Sequence, residues 1–311
     1  MTEQPRSVLV GGRGSFLCVA VAPDGKLVAA GNKDGSVLLW DPATGVVKAT
    51  LSGHVGFVFD VAFSPNGRVL ASGGGDKTAR LWDVASASPL AVLGEHENRV
   101  QSVAFTPDGK TLGTATSGLQ GMVRLWDLGT RASRVIALYK EPNKPDEPWR
   151  EVGQIAFSPD GCTLAAAVTK GLLLWDVATE AERIVVPTGR TSRLVISAAG
   201  DTLIGNGGDH ISLRDPETGR ERTVLDDPKK CGPGSSLAIS ADGKRLVVGY
   251  GLGPHDPSSV HIWDLAACRQ TDRFVTDRDT LRGIAVFPDG ETLATVSEEG
   301  GVKLWDIAPK P

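Results

Sequence analysis

The chain has 311 residues and a formal charge of −4, with 37 acidic against 33 basic side chains, which speaks against a general nucleic-acid binder and its basic surplus. No run reaches the ~18 apolar residues that a membrane span needs, and Met1 to Arg6 lacks the apolar core of a secretory leader. Cys18, Cys162, Cys231 and Cys268 share no metal spacing and are expected as free thiols, so a soluble cytoplasmic protein with no metal, cofactor, membrane or nucleic-acid partner is expected.

From the N-terminus, Val8-Leu9-Val10 is a short apolar run that precedes the first full strand pattern. The pattern that follows is clearest in its second copy: Val58 to Ser64, Pro65-Asn66-Gly67, Val69 to Ser72, then Thr78 to Trp82. Apolar β-formers bounded by Pro-Asn-Gly or Pro-Asp-Gly read as strand, tight turn, strand. Glycine there supplies a positive φ, and the preceding Asp or Asn bonds its own backbone. The turn recurs at Pro23-Asp24-Gly25, Pro107-Asp108-Gly109, Pro159-Asp160-Gly161 and Pro288-Asp289-Gly290, with weaker copies at Ala198-Ala199-Gly200 and Ala241-Asp242-Gly243. Each copy closes on Trp-Asp: Trp40-Asp41, Trp82-Asp83, Trp126-Asp127, Trp175-Asp176, Trp263-Asp264 and Trp305-Asp306, with Arg214-Asp215 in a seventh slot. Spacings of 42, 44, 49, 39, 49 and 42 residues make this one unit repeated seven times. A 40 to 45 residue period ending in Trp-Asp is the mark of a β-propeller blade.

On these residues the chain resembles the WD-repeat (Trp-Asp repeat) β-propeller family over its whole length. The resemblance implies an all-β, seven-bladed propeller with four antiparallel strands per blade around a central channel. Residues 1–311 are then one domain, with blades ending near Asp41, Asp83, Asp127, Asp176, Asp215, Asp264 and Asp306. Only six outer strands follow the Trp-Asp pairs, so Val8 to Val10 is expected to complete the last blade, sparing the terminal blades an open strand edge. The family's buried structural tetrad maps onto His54, Ser72, Asp76 and Trp82 in the second blade. The third keeps His96, Thr114 and Trp126, the first has Ala30 in the hydroxyl slot, and the fifth has Arg214 in place of the indole.

The loops divide the two ends of the blades. First and second inner strands are nine residues apart in every blade, as from Val19 to Val28 or Val61 to Leu70, whereas the opposite end, by resemblance the top face, takes all the variation. It expands between Leu138 and Val152, where Tyr139, Trp149 and Arg150 lie, and between Leu246 and Trp263, where Tyr250 lies. Exposed aromatics on a rigid scaffold favour binding. Counting three and five residues past His54 places Phe57 and Phe59 on the top rim, pointing away from core residue Val58. The same register gives Arg99 and Gln101, Arg190 and Arg282 in other blades. This aromatic and cationic rim suits a protein or peptide partner with acidic or aromatic side chains. A non-catalytic interaction scaffold, present as a monomer, is the leading reading. A hydrolase-like propeller and a nucleic-acid-binding propeller are the alternatives. Against the enzyme, no paired acids recur and His54, His96, His210, His255 and His261 form no metal-ligand spacing.

Overall fold

The computed structural model describes residues 4–10, 14–94, 96–118, 121–138, 152–169, 171–179, 181–187, 191–207, 210–225, 236–251, 257–277, 280–298 and 301–308. Strands joined by turns are the regular structure of these residues. Strand β1 (Ser7–Leu9) comes first, and blade 1 follows with β2 (Phe16–Val21), β3 (Val28–Asn32), β4 (Val37–Asp41) and β5 (Val46–Leu51). Blade 2 holds β6 (Val58–Phe63), β7 (Val69–Gly74), β8 (Ala79–Asp83) and β9 (Ser88–Leu93). Blade 3 holds β10 (Val100–Phe105), β11 (Thr111–Thr116), β12 (Met122–Asp127) and β13 (Ser133–Leu138). Blade 4 holds β14 (Val152–Phe157), β15 (Thr163–Val168), β16 (Gly171–Asp176) and β17 (Glu182–Pro187). Blade 5 holds β18 (Thr191–Ile196), β19 (Leu203–Gly207), β20 (His210–Arg214) and β21 (Glu221–Leu225). Blade 6 holds β22 (Ser236–Ile239), β23 (Arg245–Tyr250), β24 (Ser258–Asp264) and β25 (Arg269–Asp277). Blade 7 holds β26 (Leu281–Val286), β27 (Thr292–Ser297) and β28 (Gly301–Asp306). Its fourth strand is β1, which pairs antiparallel with β28 through Ser7–Leu304, Val8–Lys303 and Leu9–Val302. Seven four-stranded sheets, the last completed by the N-terminal strand, are the blades of a seven-bladed β-propeller.

The chain divides into two compact units. Met1–Ser72, Arg80–Ala91 and Gly234–Pro311 form one; Gly73–Ala79 and Val92–Pro233 form the other. Within the first, β22 packs on β26, β26 on β2 and β2 on β6; within the second, β10 packs on β14 and β14 on β18. The core lies between these neighbouring sheets. Phe16, Trp40 and Leu38 meet Val296 and Leu304 in the first unit, and Val123 and Leu125 meet Ile155 and Trp175 in the second.

The repeated turn explains why the sequence repeats as it does. In the second blade Ser64, Pro65, Asn66 and Gly67 close a turn through a Gly67 N–H to Ser64 carbonyl bond of 2.8 Å. Gly67 takes φ +69°, a region costly for any residue with a Cβ, and its counterparts in all seven blades lie between +68° and +73°. Asn66 accepts the Arg68 amide at 3.0 Å, and the Ser64 hydroxyl donates to Asn66 at 2.8 Å while accepting the Val69 amide at 2.9 Å. Thr106, Ser158, Ser197 and Ser240 hold the same post in their own blades. The aspartate of Trp-Asp serves the other turn at this end. Asp41 accepts the Ala43 and Thr44 amides, and Asp127 those of Thr130 and, at its hydroxyl, the same residue again.

Candidate interaction face

The indole of the Trp-Asp pair is anchored inside its sheet. Trp82 Nε1 donates to Ser72 Oγ at 2.9 Å, and the same hydroxyl lies 2.8 Å from His54 Nε2, with all three residues buried. Asp76, the fourth expected member, accepts the amide and hydroxyl of Thr78 at 3.2 and 2.8 Å. In blade 3 Thr114 Oγ1 receives Trp126 Nε1 at 3.1 Å and bonds His96 Nε2 at 2.9 Å, while His96 Nδ1 donates to the Lys77 carbonyl at 3.2 Å. Burial, helped by the nearby Arg124 charge, pulls the His96 pKa down to about 4, so the ring is neutral and its two nitrogens have fixed roles.

The blades that lack parts of this set solve the problem differently. With Ala30 in the hydroxyl slot, Trp40 Nε1 donates to the Val10 carbonyl at 3.2 Å, tying the N-terminal segment to blade 1. In blade 7 no histidine is used, and Thr295 Oγ1 alone receives Trp305 Nε1 at 2.8 Å. Arg214 fills the indole slot with a buried guanidinium that bonds Ser212 Oγ at 2.9 Å, the Gly219 carbonyl at 3.1 Å and the Glu221 carboxylate. In blade 6, Val248 stands in the hydroxyl slot and Trp263 Nε1 is buried without a partner.

At the strand ends opposite the repeated turns, the first unit assembles an exposed cluster. Phe57 is 45% exposed, and its ring meets Phe59 edge to face at 5.9 Å. Val58 between them is fully buried, as the alternation predicts. Lys33 Nζ sits 5.9 Å from the Phe57 ring centroid and 3.0 Å from Glu298 Oε1. Arg282 Nε donates to the same Glu298 oxygen at 2.9 Å. The Glu298 carboxyl is held below the usual range by Lys33 first and Arg282 second. In the second unit Arg99 Nε bonds Ser117 Oγ at 2.5 Å, and Gln101 is half-buried on β10. Expected site residues Trp149, Arg150 and Arg190 lie outside the described residues, as does Tyr139.

Two features of this face escape sequence reading. Lys33 and Glu298 occupy the same register, just past the end of the second inner strand, and no period in the sequence marks that spot as part of the face. The innermost strand also carries a bulge at its second residue: Phe16 pairs with Asn32 but Cys18 with Gly31, Val100 with Thr116 but Ser102 with Ala115, and Leu281 with Ser297 but Gly283 with Val296. Gln101 and Arg282 are therefore bulge residues, a device that re-aims a side chain beside a site. Tyr250 corrects an expectation. It does not stand in an exposed loop; it ends β23, is 1% exposed and packs at 4.6 Å on His261. Tyr250 is the last of the six residues of β23, a length shared with β7, β11, β15 and β27, while β24, at seven residues, is the longest third inner strand.

A cavity of about 740 Å³ in the first unit opens on the other end, among the uniform turns, lined by Pro23, Lys26, Asp41, Lys48, Pro65 and Val84. Its charges pair with one another, Lys48 with Asp41 at 3.2 Å and Lys26 with Asp24 at 3.9 Å. Among the described residues no group of His, Cys, Asp and Glu is placed to hold a metal ion, and no helix is long and apolar enough to cross a membrane.

Curated relatives include the small ribosomal subunit protein RACK1z of Arabidopsis thaliana and RACK1 of Brassica napus, each 60% identical over 40 residues, and RACK1 of Glycine max at 55% over 40 residues. Each match spans 13% of this chain and 12% of the relative, about one blade. The family described as WD domain, G-beta repeat matches at residues 3–41, 45–83, 87–127 and 268–306, together just over half of the chain. With its Trp-Asp ladder, repeated turns and four-stranded blades, this chain belongs to the WD40-repeat family.

Proposed function

We propose that the protein is a non-catalytic interaction scaffold that binds a protein or peptide through the strand ends carrying Phe57, Phe59, Arg99, Gln101 and Arg282. Arg190 belongs to the same proposal by register, and Trp149 and Arg150 through the expanded stretch between Leu138 and Val152. The observation that carries it is the Phe57–Phe59 pair under Lys33, since aromatic surface left open beside cations is the composition of an interface anchor. Membership of the WD40-repeat family supports a protein partner. The relatives named as small ribosomal subunit proteins share only one blade's length with this chain, so they support the blade more than any particular partner. The hydrolase-like and nucleic-acid readings have no comparable observation behind them. The reading takes the protein as a cytoplasmic monomer.

The test is an affinity capture that compares wild type with a Phe57→Ala, Phe59→Ala, Arg99→Glu triple variant of unchanged thermal stability. Partners should be lost from the variant. The same partners on both proteins would sink the proposal. Sedimentation of the bound material with ribosomal subunits identifies a ribosomal partner in the same experiment.

A further inference from the structure

Lys33, Arg282 and Glu298 do more than decorate the rim. Glu298 Oε1 lies 3.0 Å from Lys33 Nζ and 2.9 Å from Arg282 Nε, so one carboxylate is shared between two cations from neighbouring blades. Within this triad two positive charges meet one negative. Beside it stands Phe57, 45% exposed, with the Lys33 ammonium over its ring, and Val55, two residues earlier in the chain, is 77% exposed. The side chains of Lys33, Arg282 and Glu298 are 32%, 44% and 27% exposed, so water screens the pairs and their mutual attraction is weak. A bound carboxylate could take the place of Glu298 at small cost, because it returns to the same two cations what it displaces.

We infer that Glu298 is an internal counter-ion which an acidic side chain of the partner displaces, so that this face selects an extended peptide with a carboxylate beside an aromatic side chain. The aromatic group stacks on Phe57 and Val55; the carboxylate bridges Lys33 and Arg282. A basic peptide is disfavoured, since Glu298 already serves two cations, which repel a third. This rests on the proposal that the face binds peptides and adds which peptides it takes.

The probe is a fluorescein-labelled, blocked hexapeptide Gly-Asp-Glu-Phe-Asp-Gly, measured by anisotropy against the full chain at low ionic strength. Three control peptides replace its acids by amides, its phenylalanine by alanine, or its acids by lysines. Wild type should bind the acidic aromatic peptide and not the others. Glu298→Gln should tighten that binding about three- to tenfold, Lys33→Gln and Arg282→Gln should weaken it by a similar factor, and Phe57→Ala should weaken it about tenfold, the usual loss for an aromatic anchor. Added salt should reverse the Glu298→Gln gain, as screening predicts. Glu298→Ala supplies a second removal of the carboxylate should the glutamine variant fold poorly. The inference is overturned by tighter binding of the lysine peptide, by weaker or unchanged binding of the acidic peptide to both Glu298 variants, or by no binding of the acidic peptide at all. Loss of captured partners from the Phe57/Phe59/Arg99 variant, together with indifference to Glu298, would retire the counter-ion while leaving the scaffold reading intact. Indifference of the captured partners themselves would retire the scaffold reading whatever the hexapeptide does.

Discussion

His96 is a histidine that folding keeps uncharged, and stability should therefore depend on pH in a defined direction. Its folded pKa of about 4 lies below the ordinary value of 6.5, so the folded state resists protonation more than the unfolded chain does. The stabilisation is complete above pH 6.5, declines as pH falls from 6.5 towards 4, and is spent below that; at ~1.4 kcal/mol per pKa unit its ceiling is about 3.5 kcal/mol. Urea unfolding of wild type and His96→Gln at pH 7.5 and 4.5 reads this out: the difference in stability between the two proteins should narrow at the lower pH, and a constant difference would refute it. Trp263 offers the converse case, a buried donor without an acceptor. Thr295 and Thr114 accept the equivalent indole in blades 7 and 3 from the register that Val248 occupies in blade 6. Val248→Thr should therefore raise stability by about 1 kcal/mol, and a lower denaturation midpoint would show that the hydroxyl finds no indole. The anchors of blades 2 and 3 were legible because histidine and hydroxyl stand 18 residues apart in both and the Trp-Asp tryptophan follows. The substitutes were not: a carbonyl partner for Trp40, or a guanidinium held by Ser212, Gly219 and Glu221, leaves no repeated letter in the chain.

Strands and turns were the most legible level, since alternation, the turn glycine and the Trp-Asp ending are each local. Val8 to Val10 was placed in the last blade by counting strands, and Ser7–Leu9 does pair with Gly301–Asp306. What stayed hidden is the bulge on the innermost strand, because the apolar pattern reads through it and gives no sign of the extra residue that turns Gln101 and Arg282. The N-terminal strand is short yet well tied. Leu9 is buried, Arg6 reaches Thr292, and the Val10 carbonyl serves Trp40. Removing residues 1 to 10 exposes one leucine, worth roughly 2–3 kcal/mol, and orphans one indole, worth about 1–3 kcal/mol. A fall in melting temperature of about 5 °C or more is expected, and an unchanged midpoint would show that β1 contributes nothing.

For the whole molecule, we propose that residues 1–311 unfold as one domain. Calorimetry should then show a single transition whose van't Hoff and calorimetric enthalpies agree, whereas two resolved transitions would make each compact unit a separate cooperative body. The exposed rim is where the sequence was least informative: Arg282 is placed by register, but Lys33 and Glu298 hold one register with opposite charges and no repeated letter, and only folding brings Lys33 and Arg282 to one Glu298 oxygen. The pairing of β1 with β28 also sets a timetable. Ser7 leaves the ribosome first among the paired residues and Leu304 nearly last. At ~5–20 residues per second the early strand waits about 15–60 s for its partner. During that interval the nascent chain carries an unmatched apolar strand at one end and unfinished sheets behind it. A stalled or truncated message would leave that state permanent, so premature termination anywhere before blade 7 should yield a product that quality control removes, however intact its earlier blades.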